Sequence, residues 1–148
     1  MPLVLTAILA LLIASPPPPL PRLSLSSRDP NGCGVPILDG IPLLGGAPGL
    51  CVREAFALRL EEPSLTNVLL RVEKEGRDRI FIYRLDGRRL RPRFLGSGPD
   101  DLTLAEVRRR PGTPLDSLEV VARRGGQEVV RFICRFEEFP LVCEEVPP

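Results

Sequence analysis

Histidine and tryptophan are absent from this 148-residue chain, lysine occurs only at Lys74, and methionine only at the start. Without an imidazole there can be no Ser-His-Asp triad, no Cys-His pair and no His-ligated metal. Asparagine is confined to Asn31 and Asn67 and glutamine to Gln127. Poverty in heat-labile residues, with abundant charge and 18 prolines, fits a thermophile; a GC-rich genome would equally explain the preference for Arg over Lys. The formal net charge is only +1, so electrostatics gives no ground for a nucleic-acid partner. The basic runs "LDGRRLRPRF" and "EVRRRPG" read as solvated strand faces, with phosphate or polyanion binding as the alternative. "LLGGAPG" lacks the strand-to-helix setting and the Lys-Ser/Thr end of a phosphate loop.

The apolar run from Leu3 to Ala14 falls short of the roughly 20 residues that span a bilayer as a helix, and has the length of a signal-peptide core. Residues 1–15 are therefore read as a signal peptide or a short N-terminal anchor, with no other membrane span. The proline-rich residues 16–31 are an extended spacer, and residues 32–148 a single domain. The protein is expected to be exported: secreted, periplasmic or in the cell envelope.

All four cysteines fall in that domain. An even number in an exported chain points to disulfides. Zinc would want pairs at C-x2-C spacing, whereas the shortest spacing here has eight intervening residues; no metal or other cofactor is expected. In "RFICRFEEFPLVC" a turn around Glu137 to Pro140 sets Phe136 opposite Leu141 and Cys134 opposite Cys143, on one face. That register favours a Cys134–Cys143 bridge and leaves Cys33 for Cys51. The second bridge closes the Gly- and Pro-rich "CGVPILDGIPLLGGAPGLC", a segment with little evident capacity for helix or regular strand; closing it contributes on the order of 3 kcal/mol in the chain-entropy account.

Elsewhere strand signals dominate. "NVLLRVEK" and "RIFIYRL" flank "EGRD" as a hairpin, Asp86-Gly87 marks a type I′ turn, and Pro92 assigns the following strand to an edge or a bulge. "SLEVVARRGGQEVVRFICRF" repeats the pattern around Gly125-Gly126, setting Leu118, Val120 and Ala122 against Val130, Phe132 and Cys134 on the inner face. "LCVREAFALRLEE" has strand alternation with helix-friendly composition, and the strand reading is taken. "PDDLTLAEVRRRPG" reads as one short helix, with Thr103 and Glu106 as a capping box and Pro111 as its stop. The expected fold is all-β: a disulfide-stapled antiparallel two-sheet sandwich of about seven or eight strands with one short helix.

The run "FALRLEEPSLTNVLLRVEKEGRDRIFIYRLDGRRL", with "GPDDLTL" and "RPGTPLDSLEVVARRGG", resembles the bacterial pre-peptidase C-terminal type of β-sandwich domain over residues 54–126. The resemblance implies an accessory module of exported proteins, associated with secreted hydrolases and sometimes with polymer or carbohydrate binding. It carries over no catalytic residues.

Carboxylates are the remaining route to catalysis. The pairs Glu61-Glu62, Asp100-Asp101, Glu137-Glu138 and Glu144-Glu145 are sequence neighbours that point to opposite faces of a strand, not the facing acids of a glycosidase; they read as solvated or turn acids. Asp100-Asp101 would supply only part of a calcium shell. No catalytic residue is assigned, and the chain is read as a non-enzyme. Two functions stay open. One is a non-catalytic exported module for binding or structural support, with a protein or an envelope polymer as partner. The other is an inhibitor of a secreted hydrolase, acting through Ile37, Leu38, Ile41, Leu43 and Leu44 in the Cys33–Cys51 loop. The same five side chains are expected to cap one end of the sandwich, Ile41 among them.

Overall fold

The computed structural model describes residues 18–26, 29–47, 49–96, 101–137 and 140–147; residues 1–15, expected as signal or anchor, lie outside them. Strands β1 (Leu23–Leu25), β2 (Pro36–Leu38) and β3 (Ile41–Pro42) form an N-terminal sheet. Strands β4 (Cys51–Leu58), β5 (Asn67–Lys74), β6 (Arg77–Asp86) and β7 (Arg89–Leu95) form the second sheet in chain order. Strands β8 (Leu102–Arg110), β9 (Ser117–Arg124), β10 (Glu128–Phe136) and β11 (Leu141–Val146) form the third, ordered β11-β10-β9-β8. All three sheets are antiparallel.

The second sheet is the middle layer. Val68, Leu70, Val72, Phe81 and Tyr83 enter a core with Leu38, Leu43 and Ala47 from the N-terminal segment, while Leu58, Leu69 and Ile82 enter a second core with Val107, Leu118, Val120 and Cys134 of the third sheet. Burial on both faces is why β5 and β6 carry the unbroken runs "VLL" and "IFIY" where a one-sided strand would alternate. Val68, Leu69, Leu70 and Ile82 are all 0% exposed.

Three sequence expectations are corrected. Among the described residues the fold has three sheets of 3, 4 and 4 strands, not two sheets of about seven or eight. The extra sheet comes from residues read as spacer and irregular loop: Leu23 and Leu25 alternate onto the first core, and Asp39 and Gly40, at φ 52° and 76°, make a two-residue turn between Leu38 and Ile41. This is the type I′ turn expected at Asp86-Gly87. At that second site the turn centres on Gly87-Arg88 with positive φ at Gly87 alone, the pattern of a type II′ turn.

The expected helix over "DLTLAEVRRR" is strand β8, and no helix occurs among the described residues. A bulge between Leu104 and Glu106 places an extra residue there. It turns the spacing from Leu104 to Val107 into three, which mimics a helical face. Thr103 therefore caps nothing and pairs with Arg123 across the sheet.

Other signals match the structure. The Glu75-Gly76 turn joins β5 to β6; Pro92 sits on edge strand β7 beside a register shift; and the ambiguous segment 50–62 contains strand β4.

Candidate functional site

The stapled loop is the first place where exposed apolar side chains are held in fixed geometry. Cys33 and Cys51 are bridged with 4.8 Å between their Cα atoms. At the Cys33 end, Asp29 Oδ1 accepts from the N–H of Asn31 (2.9 Å) and of Cys33 (3.0 Å), and the N–H of Gly34 donates to Val52 O at 2.9 Å. Farther along, Leu43 N–H donates to Pro36 O at 3.0 Å, and Arg88 Nη1 donates to Leu38 O at 2.9 Å. Leu44 then docks on the free edge of β7. Its N–H donates to Arg88 O at 2.9 Å, and its carbonyl accepts from Leu90 N–H at 2.7 Å. Ala47 N–H donates to the buried Tyr83 hydroxyl at 3.2 Å.

This frame divides the five expected loop residues. Leu38 and Leu43 are buried and Ile37 is half-buried, but Ile41 and Leu44 are 49% and 58% exposed. The expectation that Ile41 belongs to the cap is therefore corrected. β3 is the outermost strand of its sheet, so Ile41 has cover from β2 on one side only. Val35, at the base of the same loop, is exposed as well.

The second bridge has the expected register, with Phe136 opposite Leu141 and Cys134 opposite Cys143. Cys134 is buried in the second core while Cys143 is exposed. Above it, the second and third sheets part into an apolar cleft of about 320 Å³. Its walls include Ile80, Phe94, Leu104, Val120, Phe132 and Leu141. Nothing in the sequence marks this cleft, because each wall residue has the pattern of an ordinary core position.

The acids behave differently from their sequence reading. Glu62 is exposed, but the carboxylate of Glu61 is 8% exposed and clamped. Arg84 Nη2 donates to Oε2 at 2.7 Å, Arg93 Nε to both oxygens at 3.1 and 3.0 Å, and Asn67 Nδ2 to Oε1 at 2.7 Å. Burial alone would raise its pKa; the guanidinium and amide donors outweigh burial and hold it below the ordinary glutamate value. Asp116 is similar. Burial opposes its ionisation, but Arg109 and the N–H groups of Arg59 (2.9 Å) and Gly112 (3.2 Å) hold its pKa below the ordinary aspartate value.

Both carboxylates are already occupied by donors, which suits them to locking chain corners and not to accepting a substrate proton. Of the other pairs, Asp101, Glu137, Glu144 and Glu145 are exposed, while Asp100 and Glu138 lie outside the described residues. Among the described residues no group of three or more Cys, Asp or Glu is placed to hold a metal ion, and no helix is long and apolar enough to cross a membrane.

The sequence reading missed Asn67. Its side chain is 0% exposed; Oδ1 accepts from Leu60 N–H (2.9 Å) and Glu61 N–H (3.3 Å), and Nδ2 also donates to Tyr83 O at 3.2 Å. An asparagine heading an apolar run in a chain with only two was the available signal.

Fold and site together define an all-β, doubly disulfide-bonded protein of three antiparallel sheets. Two disulfides are compatible with an extracellular or oxidising environment. Comparison with protein-family models, curated proteins and solved structures gives no match.

Proposed function

We propose that this chain is a non-catalytic exported binding module that engages a protein partner through the tip of the Cys33–Cys51 loop. The observation that supports this reading is the pairing of exposure with rigidity: Ile41 and Leu44 project to solvent from a segment tied by a disulfide, a two-residue turn and backbone bonds to β7. A loop ordered before binding loses little entropy on association, and a few apolar anchors carry most interface energy. The resemblance of residues 54–126 to accessory domains of secreted proteins agrees with a module of this kind. A second reading rests on the same tip: a stapled hairpin with exposed apolar side chains suits the cleft of a secreted hydrolase, which makes the module an inhibitor.

Cross-linking of the exported protein in its native medium, followed by mass spectrometry, compares the unmodified chain with Ile41→Asp and Leu44→Asp. Both variants should melt within a few degrees of the parent, since the altered side chains are about half exposed, and both should lose the partner. A captured hydrolase whose activity falls on binding selects the inhibitor reading. Undiminished capture by both variants would sink the loop as the binding element.

A further inference from the structure

The cleft between the second and third sheets plays no part in the loop reading and rests on different residues. Its volume of about 320 Å³ lies at the lower end of the roughly 300–1,000 Å³ of small-molecule sites. Ile80 and Phe94 face Leu104, Val120 and Phe132 across it, beside the Cys134–Cys143 bridge. Among the described residues, the Asp78 carboxylate at its rim is already engaged. Asp78 Oδ2 takes Arg71 Nε at 2.9 Å and Nη2 at 2.7 Å, and Asp78 Oδ1 lies 3.5 Å from Arg53 Nε. Arg71 also donates to Leu104 O (3.3 Å) and Ala105 O (3.1 Å), and Gly96 N–H donates to Ile80 O at 2.9 Å. Arg79 borders the cleft too, but it stands opposite Val72 in the register, and Val72 belongs to the core on the other face of the sheet. Its side chain is thereby assigned to that other face.

Among the described residues a charged guest would give up its hydration here for no unpaired counter-charge, since the unpartnered buried Arg79 Nε belongs to a side chain on the other face, and the cost would be high. A neutral apolar guest meets no such cost and restores the dispersion contacts that walls facing a void lack. From this match of rim neutrality to wall chemistry we infer that the cleft binds a small, neutral, apolar molecule, of the size of a short alkyl chain or a single aromatic ring.

The test uses the full disulfide-bonded protein and four probes: toluene, 1-octanol, octanoate and octylammonium. Methyl-resolved NMR titration should show saturable shifts at Val120, Ala122 and Leu141 with toluene and octanol, and at least about tenfold weaker binding of the two ions. Ala122→Leu, which fills the void from β9, should abolish the shifts; Leu104→Phe does the same from β8 should the first variant not fold. Absence of any shift up to the solubility of the neutral probes would overturn the inference. So would equal affinity for octanoate or octylammonium, which would mean that the rim reads a charge, and so would shifts confined to the Ile41 loop.

Discussion

Replacing Asn67 with leucine keeps the branching and heavy-atom count of the side chain, adds volume at a site that is 0% exposed, and deletes four hydrogen bonds at once. The Leu60 N–H then loses its partner in a residue only 1% exposed, while the Tyr83 carbonyl stays paired with Val68 in the β5–β6 ladder. The stranded donor costs about 1–3 kcal/mol and the overpacking about 1–3 kcal/mol, and the added apolar burial returns about 1–2 kcal/mol. The central values give a net loss of about 2–3 kcal/mol. At about 4 °C per kcal/mol for a chain of this size, the melting temperature falls by about 8–12 °C. Urea titration of parent and variant measures it, with the midpoint moving and the slope unchanged.

Asn67→Asp is the informative companion. It keeps both acceptor bonds to Leu60 and Glu61 but turns an oxygen toward Tyr83 O and the Glu61 carboxylate, so at neutral pH it should be the less stable of the two. Protonation of the introduced carboxyl supplies a donor again, so the gap between this variant and the parent should narrow on acidification. An Asn67→Leu protein that melts within about 2 °C of the parent would refute the idea that this amide holds the β4–β5 corner.

Glu61 and Asp116 both have folded pKa values below their ordinary ones. The unfolded chain therefore binds protons at higher pH than the folded one. The stability these groups contribute is complete above the ordinary carboxylate range and is lost as pH falls through the folded values. Denaturant titrations from pH 7 downward should show that loss in the parent and a shallower one in Glu61→Gln and Asp116→Asn; unchanged pH profiles would count against both clamps. Removing the bridges by paired Cys→Ala changes should cost about 3 kcal/mol for Cys33–Cys51, which spans 18 positions, and slightly less for Cys134–Cys143, which spans 9. Denaturant midpoints in the reversed order would contradict the loop-entropy account. Glu75 adopts a left-handed φ of 55°, so Glu75→Asn should raise stability by about 0.5–1 kcal/mol, read as a higher urea midpoint.

What the sequence makes legible here is local pairing, and what it hides is cover. The β10–β11 register, the inward side of β9 and the edge position of β7 follow from alternation and turn residues within a few positions of each other. The N-terminal sheet was hidden because "VLL" and "IFIY" do not say what lies on the second face. β8 was hidden because one bulged residue converts a period of two into a helical-looking three. In the stapled loop the five apolar residues are equivalent on paper. Only the edge position of β3 separates Ile41 from Leu38. Glu61 looked like an ordinary solvated acid because its arginine partners lie 23 and 32 positions away.

The docking of Leu44 on β7 also bears on how the chain avoids its own kind. An edge strand with free N–H and carbonyl groups is a template for strands of other molecules. Here the upper part of that edge is occupied by the Leu44 backbone, and Pro92 withholds a donor farther along. The Cys33–Cys51 bridge anchors the segment that supplies Leu44. Reduction of that bridge loosens the edge guard together with the loop, so self-association at a bare β7 is the hazard the oxidised protein is protected from.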